Sequence, residues 1–123
     1  MASREGISGR HAVLQALRSD REVHSILISR EADKDPALKP IRDAAAARRI
    51  TVQHVLPGEL ERSVGSSNQG VGAIVAPLPV FSVKDLLERA RAAKQEPFLV
   101  AVDGIADPQN LGAIARTALL AGC

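Results

Sequence analysis

The spacing of apolar residues changes repeatedly along the chain between that of helices and that of strands, which predicts alternating elements. Runs of β-branched and apolar residues predict three strands in the first part of the chain, at residues 23–29, 50–56 and 71–76. Apolar residues three and four positions apart predict helices over residues 7–19, with Ser8 as the cap, and 35–49, and a short helix or turn over 57–64. This order predicts an α/β layered domain over residues 1–77.

A proline-rich segment ends this domain, because Pro77 and Pro79 do not fit a central strand. We therefore expect a linker over residues 78–96. The continuous apolar run at residues 97–102 is typical of a strand that is buried on both faces, as parallel strands are. A helix follows it after a loop, so residues 97–123 are predicted to begin a second α/β domain.

The predicted linker contains a helix over residues 82–94 with a well-defined start. Ser82 can cap it, and Asp85 follows three residues later, which is typical of a capping box. Phe81 precedes the cap and is placed to pack against Leu86 in the manner of a hydrophobic staple.

Composition excludes several classes of protein. Of the 123 residues, 46% are hydrophobic and 24% charged, as in ordinary globular proteins, and no apolar run approaches the roughly 20 residues that span a bilayer. The single cysteine and the lack of a signal peptide predict a cytoplasmic location. One cysteine and scattered histidines do not predict a metal site. The net charge of +2 is too small to decide for or against a nucleic-acid partner.

The last helix carries the most informative polar residues. Asn110 lies near its start, where the side chain either caps free backbone N–H groups or faces a ligand, and Gly122 is suited to its end. Gly112 in the first turn suggests close approach by a neighbour or ligand.

Arg116 is the only charged residue after Asp107, so it either lies on a half-exposed helix face or binds an anion. Helical side chains lean toward the N-terminus, and six positions place Arg116 about 120° around the helix from Asn110. The two side chains would then flank a site.

These residues belong to a longer recognisable pattern. The segment "DGIADPQNLGAIARTALLAG" resembles the first conserved motif of the SpoU (TrmH) family of RNA ribose 2′-O-methyltransferases. Upstream, "GRHAVLQAL" and "NQGVGAIV" resemble the start and end of the small L30e-like RNA-substrate-binding domain found in the family's 23S rRNA guanosine-2′-O-methyltransferases. Where relatives often have His-Gln-Gly, this chain has Asn68-Gln69-Gly70.

The resemblance implies an L30e-like α/β/α domain over residues 1–77 that binds RNA through five residues, namely Arg10, His11, Asn68, Gln69 and Gly70. It also implies that residues 97–123 begin a knotted (SPOUT) methyltransferase domain. In that domain Asn110 and Arg116 would be catalytic, and Arg116 would hold the target phosphate and ribose and help to deprotonate the 2′-hydroxyl.

The resemblance further implies S-adenosylmethionine as methyl donor, a homodimer for the full-length protein, and an RNA partner, with ribosomal favoured over transfer RNA. The cofactor-binding motifs are expected beyond Cys123, so the chain is expected to be an inactive N-terminal fragment by itself. The alternative is a non-enzymatic L30e-like RNA-binding module. That module would bind structured RNA through residues 1–80 alone.

Overall fold

A computed structural model describes residues 3–123 and divides them into two units, the first ending at Leu78 and the second beginning at Pro79. The first unit is built on a four-stranded sheet in the order β1-β4-β2-β3. Its strands are β1 (Glu5–Ser8), β2 (Val23–Ser29), β3 (Thr51–Val55) and β4 (Val71–Val75). Strand β2 pairs in parallel with β3, whereas β4 runs antiparallel to both of its neighbours, β1 and β2.

Helices cover both faces of this sheet. They are α1 (Arg10–Arg18), α2 (Lys39–Ala47) and α3 (Pro57–Val64), and two short 3₁₀ turns precede α2 at Arg30–Ala32 and Pro36–Leu38. Helices α1 and α2 pack on one face, where the main core includes Ile26 and Ile28. Helix α3 packs on the other face, where Leu60 meets Leu27. Alternate residues of β2 therefore serve opposite cores, and the predicted α/β layering is confirmed.

The start of the chain differs from the sequence prediction. Ile7 and Ser8 were expected to open a helix, but they belong to β1, which pairs with β4 from Glu5↔Val75 to Ser8↔Gly72. Helix α1 begins only at Arg10, after Gly9, so Ser8 is not its cap. A four-residue strand that depends on a partner more than 60 residues away leaves no local periodicity to detect.

The second unit contains two helices, α4 (Val83–Ala92) and α5 (Pro108–Ala121). The predicted capping box is present at α4, since the Asp85 backbone N–H donates to the Ser82 hydroxyl and the Ser82 backbone N–H donates to the Asp85 carboxylate. Gly122 ends α5 in the left-handed conformation, as expected.

The predicted strand at residues 97–102 is wrong, because these residues pair with no strand in residues 3–123 and have no regular structure. A strand is defined by hydrogen bonds to a neighbour, and none is present beside it. Phe98 and Val100 instead line an apolar cleft together with Ile114 and Ala118 of α5. In the described part of the chain, no helix is long and apolar enough to cross a membrane.

Candidate functional site

The first unit carries a polar groove of about 460 Å³ where three segments meet. These are the start of α1, the turns that follow β2, and the loop before β4; helix α3 adds Pro57 and Glu61 as a fourth segment. Its lining residues are Arg10, Ser29, Glu31, Ala32, Asp35, Pro57, Glu61, Ser66, Asn68, Gln69 and Gly70. The groove thus brings together four of the five residues that the sequence assigns to RNA binding.

Among the described residues that line this groove, Arg10 is the only one with a cationic side chain. Its Nη2 donates to Asp35 Oδ2 at 2.6 Å, and its side chain remains 42% exposed. The Nε of the same guanidinium is buried and has no hydrogen-bond partner within residues 3–123. Asp35 is itself held in place because its other carboxylate oxygen accepts from the Ala37 backbone N–H at 2.8 Å. The ion pair therefore fixes the guanidinium at the groove wall while part of it still faces solvent.

The Asn68-Gln69-Gly70 turn uses its side chains to hold the groove together. Asn68 donates through Nδ2 to the Gly65 carbonyl at 2.8 Å and accepts from the Gly70 backbone N–H at 2.9 Å. Gln69 Oε1 accepts from the Arg10 backbone N–H at 3.1 Å, which satisfies a free donor at the start of α1. The Asn68 side chain thus holds the loop in shape and the Gln69 side chain fixes it to α1, and this structural use is one that sequence reasoning did not anticipate.

Gly70 must be glycine for two reasons. Its φ angle is +79°, in the left-handed region that L side chains rarely adopt, and an added Cβ would lie 2.5 Å from the Ala32 Cβ. The Gly70 carbonyl accepts from the Ser29 backbone N–H at 2.9 Å, which joins the loop to the end of β2. Close packing at this position brings the loop and the turn after β2 together to form the groove.

Three carboxylates in the groove were missed by sequence reasoning, namely Glu31, Asp35 and Glu61. They lie on different elements, so no local pattern relates them, although Asp35 before Pro36 is a recognisable helix-start pair. Together with Arg10 and the amides of the 68–70 turn, they give the groove both hydrogen-bond donors and acceptors. Such a surface suits a ligand with polar edges better than a bare phosphate.

His11 is separated from this groove. It lies in a neighbouring depression of about 240 Å³, together with Arg10, Leu14 and the start of α2. Arg10 borders both cavities, whereas His11 borders the depression and not the groove.

The two residues assigned to catalysis both lie exposed on α5. Asp107 is the cap of this helix, because its carboxylate accepts from the Gln109 backbone N–H at 2.8 Å. Asn110 therefore lies inside the first turn and does not cap, which removes one of the two alternatives left open by the sequence. Within residues 3–123, its side chain makes no hydrogen bond.

Arg116 extends along the helix toward Gly112. A Cβ at Gly112 would lie 3.5 Å from Arg116 Nη1, an ordinary van der Waals contact, so the guanidinium lies beside this glycine without requiring it. This direction agrees with the expected lean of helical side chains toward the N-terminus. Arg116 forms no ion pair with another residue of the described range 3–123. The same range contains no group of His, Cys, Asp and Glu side chains placed to hold a metal ion.

The comparison with protein families identifies the class of this protein. The family model described as "RNA 2′-O ribose methyltransferase substrate binding" (SpoU) matches residues 7–81, which include the whole groove. The chain therefore belongs to the SpoU/TrmH family of RNA methyltransferases.

Curated relatives agree with this assignment. A protein named as a TrmH family tRNA/rRNA methyltransferase, YacO of Bacillus subtilis, is 34% identical over 91% of this chain and 45% of its own length. An uncharacterized tRNA/rRNA methyltransferase of Synechocystis, slr0955, is 37% identical over 89% of this chain and 29% of its own length. A TrmH family protein of Staphylococcus epidermidis is 33% identical over 94% of this chain and 46% of its own length. The chain spans less than half the length of these relatives.

Proposed function

We propose that this chain is the RNA-recognition part of an enzyme that methylates ribose 2′-hydroxyls, with 23S ribosomal RNA as substrate. The observation that carries the proposal is the groove in which Arg10 meets the Asn68-Gln69-Gly70 turn, inside the region matched by the substrate-binding model. Its mixed donors and acceptors suit unpaired bases, which sequence-specific RNA-binding proteins contact along their polar edges. In this proposal, residues 1–77 are the L30e-like domain, 78–96 the linker, and 97–123 the start of a SPOUT domain.

Arg116 and Asn110 would contact the target nucleotide. The Arg116 guanidinium, without a carboxylate partner in residues 3–123, is free to bind the phosphate beside the target ribose. A fixed positive charge there would stabilise the negative charge that develops on the 2′-oxygen as its proton leaves. Asn110, on another side of α5, would hold the substrate by hydrogen bonds. These roles rest on the motif and on the exposure of both residues.

S-adenosylmethionine is the proposed methyl donor, but the described residues do not form a pocket for it. The cleft beside α5 is lined by Phe98, Val100, Ala113, Ile114, Thr117, Ala118, Ala121 and Cys123. Only one of these side chains, Thr117, has a hydroxyl, and none is charged, whereas the cofactor carries a charged amino-acid end that needs polar partners. We therefore expect this chain to be inactive by itself. The proposed active form is a cytoplasmic homodimer.

Transfer of labelled methyl from S-adenosylmethionine to unmodified ribosomal RNA tests this function. The assay compares the product of the complete reading frame with the 123-residue chain. We expect only the longer product to transfer methyl, and Arg116→Ala in it to lower the rate about 100-fold or more while RNA affinity changes little. The RNA-binding control is Arg10→Gln, which should weaken affinity instead.

Full activity of Arg116→Ala would overturn the proposed catalytic role. If the longer product transfers no methyl while the 123-residue chain binds structured RNA tightly, the non-enzymatic RNA-binding module becomes the better function.

A further inference from the structure

Helix α4 carries an aromatic and cationic pair outside the groove. The Arg89 guanidinium carbon lies 4.5 Å from the centre of the Phe81 ring, within the range of a cation–π contact. Phe81 is 41% exposed and is one of only two phenylalanines in the chain. The ring is thus neither buried in a core nor fully solvated, and one of its faces is covered by a planar cation.

The start of α4 fixes where this pair lies. The Ser82 hydroxyl and the Asp85 carboxylate are 2.6 Å apart, and the Ser82 backbone N–H donates to the same carboxylate at 2.8 Å. Phe81 immediately precedes this box, so its backbone enters the helix in a defined direction. Arg89 lies two helical turns further on. The ring and the guanidinium are therefore presented by a capped helix and not by a loose loop.

The charge of Arg89 is not neutralised by a carboxylate. Within residues 3–123, Glu88 contacts Lys84 at 3.9 Å, Asp85 is engaged by Ser82, and Arg89 has no ion pair. The helix dipole favours a cation in the last turn of α4, where both Arg89 and Arg91 lie, but it does not explain why one of them covers an exposed ring.

We propose that Phe81 and Arg89 form a stacking platform for an unpaired nucleobase of RNA. Bases stack on aromatic rings and on arginine planes, and the charge of the guanidinium attracts the neighbouring phosphates. The inference rests on the proposed RNA-binding function and assigns a separate RNA contact to the second unit, at the end of the family-model match and in the helix that follows.

Single-stranded RNA with 2-aminopurine, a base whose fluorescence falls when it stacks, tests the platform with the 123-residue chain. Affinity is measured by anisotropy and stacking by quenching. Phe81→Leu keeps the apolar bulk but removes the ring, Arg89→Gln removes the planar charge, and Arg91→Gln is the matched control that removes an equal charge from the same turn. We expect the first two to weaken binding about fivefold or more and to abolish quenching, and the control to weaken it less than about twofold.

Other outcomes would overturn the platform alone or the platform together with the proposed RNA binding. Unchanged affinity and quenching in Phe81→Leu, with Arg10→Gln still weakening binding, overturns the platform and leaves the groove proposal standing. Equal loss in Arg89→Gln and Arg91→Gln with none in Phe81→Leu also overturns it, because the contact is then purely electrostatic. If the unaltered chain binds no RNA, both the platform and the proposed RNA binding are wrong.

Discussion

The two units start their helices and bury their apolar residues in opposite ways. In the first unit, none of α1, α2 and α3 has a side-chain hydrogen bond from its own cap residue, yet each places residues in a core. In the second unit, both α4 and α5 are capped by a neighbouring side chain, Ser82 or Asp107, and no residue from Pro79 to Cys123 is buried. Tertiary packing stabilises the helices of the first unit, whereas local hydrogen bonds define where the helices of the second unit begin.

Apolar sequence alone does not separate the units. The run at 23–29 becomes a buried strand because β3 and β4 flank it. The run at 97–102 is more apolar, yet it has no strand beside it and remains exposed. Among residues 3–123, all of the exposed large hydrophobic residues except Leu56 and Leu78 lie in the second unit. Exposed apolar surface of this kind is typical of a contact surface. Whether an apolar segment of this chain is buried therefore depends on the segments that pack beside it.

The largest expected effect comes from truncating the same residue type in each unit. Leu38 is 0% exposed in the main core and Leu120 is 90% exposed on α5. We expect Leu38→Ala to lower the free energy of unfolding by about 2–5 kcal/mol, since it removes packed atoms and leaves a cavity. Leu120→Ala should change it by less than about 0.5 kcal/mol. Urea denaturation followed by circular dichroism measures both, and equal effects would refute the contrast between the units.

A smaller effect is expected from adding one methyl group to a glycine in each unit. Gly70 and Gly104 both have positive φ angles, +79° and +67°, but only Gly70 has a neighbour, Ala32, where the Cβ would go. We expect Gly70→Ala to cost about 2–4 kcal/mol, from backbone strain and overpacking together, and to weaken RNA binding by widening the groove. Gly104→Ala should cost about 1 kcal/mol, from the left-handed backbone alone, because its Cβ would meet no neighbour. Comparable losses of thermal stability in the two variants would show that close packing at Gly70 is unimportant.

Elements with local signals were predictable from the sequence. Strand β2 agrees with its β-branched run, and the start of α4 agrees with its capping box. Strand β1 was missed, and the strand at 97–102 was wrongly expected, for the same physical reason. Whether a short segment forms a strand is decided by a distant partner, which local periodicity does not report.

The candidate site shows the same division between local and distant information. The likeness of "NQGVGAIV" to a family segment pointed to the 68–70 turn, and the structure places that turn beside Arg10. The carboxylates of Glu31 and Glu61 reach the groove only through the fold, so sequence reasoning did not find them. The cap of α5 is Asp107, whereas sequence reasoning considered Asn110 for that role.

The smallest expected effect concerns the local cap that defines α4. Hydrogen bonds from the Ser82 hydroxyl and then from the Ser82 backbone lower the pKa of Asp85 below its ordinary value of 3.8. Because the pKa is lower in the folded helix, the box is fully formed above pH 3.8 and is lost only as the pH falls through the folded-state value. Carboxyl chemical shifts of Asp85, with amide exchange at Ser82, should show this loss below pH 3.8, while Asp85→Asn should show no pH dependence at Ser82. A midpoint at or above the ordinary value would mean that the box does not hold the helix start, and that α4, like the helices of the first unit, depends on packing.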